Sequence, residues 1–565
     1  MSIQTFRRPL FRQPTITIKN DKVYLRCDFI DKDKAKEIPG YRWDKTTKSW
    51  EYPLSLEIVR QIYEKFPEVE TDPVASARIQ DMFAKANNVQ KAKLQGWKDA
   101  TPIKPMPIKV KPFQHQILGY NIGISIPNSA LLMEMGTGKS LTAMAVAGRR
   151  YLDGEIQKLL IVCPTSIMFV WQDEFEKFAD FPYSILVLNG PVKKRIEQLE
   201  KFQGAGLQVV VINYEATWRM EDELKKWKPD MIICDESQRI KTPSAQQSKC
   251  MHRMGKIAKY KMILTGTPVT QGPLDFFSQY KFLDPGIFGN SYYAFRAKYA
   301  VMGGFEGRQV ISYQNLPELI EKAHSVAFRV TKAEALDLPE QIDTIRYCEL
   351  EPKAQRIYEQ MRKECVAELS EGKTVTAANV LAKLLRLQQI TGGFLGDGEG
   401  IVQKVSSAKL LVLKEILEDI VIDAGKKLVI FARFRPEIAA IEKLLQQLNI
   451  KYECIHGDID MGARGEKVKA FQTDPDTKVF VAQLQTAGLG ITLTAADTAI
   501  FYSLDFSFAN YDQARARLHR IGQKNNVTNI HLIMKGTVDT KVMGALKKKK
   551  NVADVVVDGW RKLFE

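Results

Sequence analysis

None of the seven cysteines belongs to a CxxC pair, and Cys163 and Cys234 stand inside apolar runs. That excludes a CxxC redox motif and argues against a disulfide framework. The thiols read as buried and free, as in a reducing compartment. Long hydrophobic runs are also missing: no uninterrupted apolar stretch reaches membrane-spanning length, and the opening MSIQTFRRPLFRQPT lacks the apolar core of a signal peptide. A cytoplasmic protein is expected, associated with the nucleoid of a bacterium or working in a phage-infected cell. No repeat with a period of about 20 to 50 residues is present, which argues against a solenoid. The only low-complexity tract is Lys547 to Lys550. Acidic residues are in deficit, 66 Asp and Glu against 82 Lys and Arg, leaving a net charge of +16. Such a balance favours a polyanionic partner, nucleic acid or an anionic membrane face.

Core-forming residues are plentiful. At 565 residues, 45% hydrophobic and 26% charged, the chain exceeds what one core organises, so two large domains and a smaller one are expected.

Residues 133 to 140 read MEMGTGKS, preceded by the apolar Ala130 to Leu132 and followed by the helix-prone Leu141 to Arg150. This is the strand, loop and helix context of a phosphate-binding loop. Met135, Gly136, Thr137 and Gly138 form the loop, whose glycines let backbone N–H groups close around phosphates. Lys139 carries a charge to the outer phosphates, and Ser140 offers a hydroxyl to Mg²⁺. ATP and Mg²⁺ are therefore the expected cofactors. Downstream, the apolar run Met231 to Cys234 ends in Asp235 and Glu236. Asp235 is placed to hold Mg²⁺, often through water, and Glu236 to polarise the attacking water.

Short β-rich runs alternate with helical patterns from Lys158 onward, and each run ends in a motif: PTS at 164 to 166, NYE at 213 to 215, DESQ at 235 to 238, TGTP at 265 to 268. Ligand groups gathered at the carboxyl ends of strands are what an open α/β sheet predicts. The pattern restarts after about Ser406. The division expected is a small substrate or DNA-recognition module with its helix at 1–95 and a linker at 96–112. A first lobe follows at 113–340 with a helical insertion near 286–335, then a second lobe at 341–545 with a helical insertion near 351–400, and a basic tail at 546–565. ITIKNDKVYLRC alternates around Asn20-Asp21 as a β-hairpin does, so the first module is α+β.

Several strings together resemble the Swi/Snf (sucrose non-fermenting) family of superfamily-two DNA translocases and helicases, from about residue 110 to 550. LTGTPVTQGPLDFFSQYKFLDPGIFG at 264 to 289 resembles the third motif, VFVAQLQTAGLGITLTAADTAIFYSLDFSFANYDQARARLHRIGQ at 479 to 523 the fifth and sixth, LLIVCPTSIMFVWQDEFEKF at 159 to 178 motif Ia, and PFQ at 112 to 114 the Q motif. The resemblance implies an α/β fold of two RecA-like parallel-sheet lobes facing each other across an ATP cleft, with DNA lying over both. It assigns Gln114 to the adenine, Gly136 to Ser140, Gly490 and Gln513 to nucleotide binding, and Lys139, Asp235, Glu236, Arg517 and Arg520 to catalysis. Arg520 is the expected finger on the γ-phosphate, a role with a typical effect of about 10³ to 10⁵ in rate. Hydrolysis would then require the lobes to close. Gln238 stands where the family usually has histidine, so coupling to the TGTP motif is expected to be tuned differently. DNA contacts are expected from Pro164, Thr165, Ser166, Thr265, Gly266, Thr267, Gln485, Thr486 and Gly488, through hydroxyls and amides that hold phosphates without reading bases.

In the first module, IPGYRWDKTTKSWEYPL at 38 to 54 interleaves Trp43 and Trp50 with Arg42, Lys45 and Lys48. The tryptophans either stack on unpaired bases or pack a small core. The string is similar to the substrate-recognition repeat of HepA-related (HARP) annealing helicases. About forty residues follow the sixth motif, so no histone-reading or nuclease module is expected there. Three activities fit: a DNA-dependent ATPase that translocates on duplex and remodels branched DNA, an ATP-driven displacer of RNA polymerase or another DNA-bound protein, and a strand-separating helicase.

Overall fold

The computed structural model describes residues 13–19, 22–304, 309–370, 377–396, 402–459, 461–489 and 491–553. The chain divides into two compact units, one holding most residues up to Val330, the other Thr331–Ala553 together with the short segment Met135–Thr137.

The first unit begins with a small sheet: β1 (Thr15–Lys19), β2 (Lys22–Arg26), β3 (Arg42–Asp44), β4 (Ser49–Pro53) and β5 (Glu70–Thr71) in the order β3-β4-β2-β1-β5. β1 and β2 pair antiparallel with Lys19 opposite Lys22, as the alternating pattern predicts; Asn20 and Asp21 lie outside the described residues. Ile16, Val23, Leu25, Trp50 and Tyr52 meet Ile58, Val59 and Ile62 of the helix Leu56–Lys65 in one core. Ser55 caps that helix by accepting the Ile58 N–H at 3.2 Å, the interaction that makes serine a preferred first residue. A longer helix, Pro73–Gln95, starts at Asp72, whose side chain accepts from Val74 and Ala75 N–H, with proline at its first position.

This module rests on the lobe that follows it. Gln61 Nε2 donates to the Gly286 carbonyl at 3.1 Å, and Lys93 Nζ donates to the His324 carbonyl at 2.7 Å.

The lobe is built on β6 (Asn128–Met133), β7 (Lys158–Cys163), β8 (Tyr183–Val187), β9 (Leu207–Asn213), β10 (Met231–Asp235) and β11 (Tyr260–Leu264). After a two-stranded hairpin, β12 (Ala300–Gly303) and β13 (Gln309–Tyr313), comes β14 (Ala327–Val330), which adds to the sheet in the order β14-β6-β11-β10-β7-β9-β8. All its pairings are parallel. Strands buried on both faces need continuous apolar sequence, and Leu159 to Cys163, Val209 to Ile212 and Met231 to Cys234 are entirely buried. The insertion expected to be helical near 286–335 is mixed: it contains the hairpin and the edge strand β14. Helical spacing in its charged segments concealed strands of four and five residues.

The second unit has β15 (Gln341–Cys348), a short hairpin of β16 (Phe394–Gly396) and β17 (Val402–Lys404), then β18 (Leu428–Ala432), β19 (Tyr452–Ile455), β20 (Val479–Gln483), β21 (Thr498–Phe501) and β22 (Val527–Met534). Its main sheet runs β15-β22-β21-β18-β20-β19, again parallel throughout. Apolar clusters form on either side, one around Val429, Phe431 and Phe501, the other around Leu428, Ile430 and Ile500. Alternate residues of β18 and β21 therefore feed opposite faces. The helices Pro352–Ser370 and Ala377–Thr391 lie between β15 and β16. The helix Val538–Ala553 carries Lys547 to Lys550 on a largely exposed face, with Lys549 Nζ donating to the Phe506 carbonyl at 2.8 Å. Among the described residues no helix is long and apolar enough to cross a membrane.

Candidate functional site

In the first lobe the phosphate loop leaves the carboxyl end of β6 and the acid pair leaves that of β10, with β11 between them. Neighbouring strands are about 4.8 Å apart, so the TGTP loop stands between loop and acid pair.

Gly136 and Gly138 have φ of +88° and +86°, a left-handed conformation that glycine adopts freely and other residues do not. At Gly138 a Cβ would lie 2.0 Å from Gln116 Nε2, so space as well as φ demands glycine. Gln116 is buried, and its Oε1 accepts the Phe113 N–H at 2.9 Å. Gln114, the residue resembling the Q motif, is exposed at the first position of the helix Gln114–Ser125. The glutamine packed against the phosphate loop is thus Gln116. Met135 and Thr137 complete the loop. Lys139 and Ser140 open the helix Lys139–Leu152, so its first N–H groups face the loop.

Asp235 and Glu236 are 5% and 9% exposed, and Lys139 is 9% exposed. Burial, then the Glu236 charge, pushes the Asp235 carboxyl above the ordinary carboxylate range, while Lys139 pulls it down. A carboxylate so desolvated beside a second acid is stabilised by a cation. One carboxylate, the Ser140 hydroxyl and phosphate oxygens are a donor set that suits Mg²⁺, which keeps several waters and takes few protein ligands. Both Asp235 oxygens are oriented: Oδ1 accepts the Glu236 N–H at 2.9 Å, and Oδ2 accepts the Trp171 indole N–H at 3.1 Å. Tyr214 OH donates to the Asp235 carbonyl at 2.8 Å.

Glu236 has φ of +51°, uncommon for a residue with a side chain and a local cost found at functional sites. Its carboxylate accepts from Gln238 Nε2 at 2.7 Å, and Gln238 Oε1 accepts from Thr265 Oγ1 at 2.8 Å. Thr265 Oγ1 in turn accepts the Thr267 N–H at 3.0 Å. An unbroken line of hydrogen bonds therefore joins the acid to the TGTP loop. Thr265 is fully buried, so its hydroxyl is an internal link. The expectation that it touches DNA is corrected on that ground. Gly266 is held from behind by Arg329 of β14, whose Nη1 reaches the carbonyls of Leu132 at 3.2 Å and Gly266 at 3.4 Å; Nη2 pairs with Glu134 at 3.2 Å. Thr267 is 7% exposed.

Of the PTS residues, Pro164 is buried, Ser166 half-buried and Thr165 exposed. Nearby, Arg195 Nη1 donates to Asn213 Oδ1 at 2.7 Å, and Trp218 is 40% exposed with the Arg219 guanidinium 5.1 Å from its ring. In the first module Trp50 is 8% exposed and belongs to the core. It is therefore removed from the base-stacking pair, because β4 turns it inward. Trp43 is 45% and Tyr41 47% exposed, with ring centroids 5.0 and 5.8 Å from that of Trp50.

In the second unit the helix Phe508–Arg515 carries Gln513, 8% exposed. Arg515 pairs with Asp343 of β15 at 2.9 Å. Arg517 is 2% exposed, and its carbonyl accepts the Leu493 N–H at 3.0 Å. Arg520 Nη1 lies 3.4 Å from the Ile491 carbonyl. Gln523 Nε2 donates to the Ala496 carbonyl at 2.8 Å and supports the same turn. Gln485 is exposed, while Thr486 turns its hydroxyl onto the Gln483 carbonyl at 2.6 Å. Gly488 lies in the turn Leu484–Leu489. Gly490 lies outside the described residues.

Gln116, Trp171, Tyr214 and Arg329 are the participants that sequence reasoning missed. Trp171 and Tyr214 did fall inside or beside the PTS and NYE strings, the one available signal.

Comparison with known proteins places these observations. The chain is 28% identical over 421 residues to an uncharacterized ATP-dependent helicase of Mycoplasma pneumoniae, covering 74% of this chain and 39% of that protein. It is 28% identical over 437 residues to the human DNA annealing helicase and endonuclease ZRANB3, covering 75% and 38%. The chain thus spans well under half the length of these relatives. The Sulfolobus solfataricus SWI2/SNF2 ATPase core in complex with dsDNA is similar at 27% identity and a TM-score of 0.39, over 81% of this chain and 96% of that one. A helicase conserved C-terminal domain matches residues 408–522. The SNF2-related domain matches residues 60–392, more than half of the chain, so this protein belongs to the SNF2-related family and has the architecture of its ATP-hydrolysing core.

Proposed function

We propose that the chain is a DNA-dependent ATPase that translocates on duplex DNA and remodels branched DNA by annealing, fork reversal or branch migration. The observation that carries the reading is the hydrogen-bonded line from Glu236 through Gln238 and Thr265 to the Thr267 N–H. It ties the acid suited to activating water to the TGTP loop, which the motif resemblance assigns to DNA. Hydrolysis and strand contact are then one mechanical unit. Mg²⁺ held by Asp235 and Ser140 would neutralise phosphate charge. Lys139 and the loop amides orient the nucleotide, Glu236 accepts a hydrogen bond from water, and Arg517 and Arg520 are the basic residues that the motif resemblance assigns to the same chemistry.

The branched-DNA part of the proposal rests on the first module. Tyr41 and Trp43 present aromatic faces beside Arg42 and Lys36, whose Nζ lies 6.0 Å from the Trp50 ring. Aromatic rings among cations suit unpaired bases at a junction.

The test is ATP turnover with no DNA, single strand, linear duplex, a fork and a four-way junction, all at one salt concentration because phosphate contacts are salt-sensitive. Forked or four-way DNA is expected to stimulate more than duplex, with the excess lost in Trp43→Ala. Strong turnover on plain duplex that ignores Trp43→Ala would replace junction remodelling with displacement of DNA-bound proteins such as RNA polymerase. No stimulation by any DNA would overturn the proposal.

A further inference from the structure

Trp171 is 2% exposed and lies one turn into the helix Met168–Phe178, which follows directly on the Pro164–Ser166 loop and its turn Thr165–Ile167. Its indole N–H reaches across to Asp235 Oδ2 at 3.1 Å. A buried indole N–H needs an acceptor, but here the acceptor is the carboxylate suited to Mg²⁺. The other oxygen of that carboxylate is held at 2.9 Å by the Glu236 N–H, so the indole decides whether the carboxylate plane is fixed or free to swing. Tyr214 adds a second hold from the neighbouring rim. It follows β9 at the NYE string, is fully buried, and donates to the Asp235 carbonyl at 2.8 Å. Two segments that begin at the carboxyl ends of β7 and β9 therefore both terminate on Asp235.

We propose that Trp171 is a positioning residue: through its indole N–H it sets the Asp235 carboxylate for the nucleotide's Mg²⁺ according to the state of the Pro164–Ser166 loop. This rests on the ATPase reading above. A phosphate backbone seated on Thr165 and Ser166 presses on the first turn of the Met168–Phe178 helix, and a shift of that turn moves the indole nitrogen with it. Because hydrogen bonds fall off steeply with distance and angle, a few tenths of an ångström there suffices to tighten or release the carboxylate. The lobe thus has a second connection from DNA rim to metal site, independent of Gln238 and Thr265.

The experiment replaces Trp171 with 3-benzothienyl-alanine, which puts sulfur where indole has N–H and keeps the ring's shape. Trp171→Phe serves as a second variant, and melting curves confirm that each is folded. Binding of a fluorescent ATP analogue is followed by anisotropy as Mg²⁺ is titrated from EDTA to excess, with and without duplex DNA. Loss of a hydrogen bond to a charged group predicts an approximately tenfold higher Mg²⁺ requirement for nucleotide binding. Binding in EDTA should be unchanged, and the tightening caused by DNA should be reduced, the remainder being carried by Gln238 and Thr265. An unchanged Mg²⁺ titration, or equal weakening with and without Mg²⁺, would overturn the role and leave Trp171 a packing residue. Failure of the unaltered protein to bind nucleotide in a Mg²⁺-dependent way would instead strike the ATPase reading, so the two failures are distinguishable.

Discussion

Glu236 owes its position to two unequal influences. Its left-handed backbone turns the side chain back over the strand end, and the Gln238 amide then holds the carboxylate at 2.7 Å. An amide at 238 donates to Glu236 and accepts from Thr265 at once, and it does so without titrating. Glu236→Gln keeps the shape but removes the acceptor charge. It is expected to bind ATP near-normally and to lose hydrolysis by about 10² to 10⁴, the range for an acid–base group; single-turnover and nucleotide-binding measurements check this, and near-normal turnover would remove Glu236 from the proposed role. Gln238→Ala leaves all charges in place but cuts the line to Thr265. Its expected signature is a ratio of DNA-stimulated to basal turnover reduced by about tenfold, the size of one lost hydrogen bond to a charged group, with nucleotide affinity retained. The acid pair and the phosphate loop were legible because a continuous apolar strand ending in charge has few other meanings. Gln116, Trp171 and Arg329 were not, because each acts across the sheet on residues distant in sequence, and nothing local to a buried glutamine, tryptophan or arginine names its partner.

The parallel strands were legible for the same reason as the acid pair: burial on both faces demands uninterrupted Val, Ile and Leu. The hairpin β12–β13 was not, since residues Gln309 to Ser312 are exposed and carry no apolar periodicity. Least visible was the way the helices Leu56–Lys65 and Pro73–Gln95 settle on the lobe. Gly286 allows it: a Cβ there would lie 3.0 Å from Asp284 Oδ1 and 3.2 Å from both Ile58 Cγ1 and Ser55 Oγ. At the other end Lys93 is buried against the His324 carbonyl, and burial pushes its ammonium down to about 7. An unfolded lysine titrates near about 10.4, so between those values the native chain binds fewer protons than the unfolded one. Stability of this contact therefore rises as pH increases from about 7 towards about 10, and is at its lowest, and flat, below about 7. Lys93→Met removes the titration. The melting temperature of the variant relative to the unaltered protein should be most favourable near pH 6.5 to 7 and shift steadily in favour of the unaltered protein up to about pH 10. A difference that does not change with pH would show that the ammonium is not desolvated at this contact.

At the scale of the whole chain, the contact between module and lobe decides how the module's role can be measured. Ser55 bonds to Asp284, which is fully buried and pushed up by that burial, with the Lys261 charge opposing; Lys261 itself is pushed down to about 8 by burial. Glu57 lies 3.7 Å from Lys322, and the Lys93 bond to the His324 carbonyl closes the far end. Removing residues 1–95 would hydrate Asp284 and uncover the surface around Gly286. Truncation is therefore expected to lower the melting temperature of the first unit by several degrees, on the order of 2 to 4 °C for each kcal/mol lost in a unit of this size, and to promote self-association, both readable by calorimetry and size-exclusion chromatography. A truncated chain that melts with the intact protein would mean that the module is loosely attached and free to act alone. If the contact is as tight as its buried groups indicate, loss of activity on truncation reports instability as readily as lost recognition of DNA. Exposed substitutions such as Trp43→Ala and Tyr41→Ala, which touch neither Gly286 nor Lys93, then separate recognition from support.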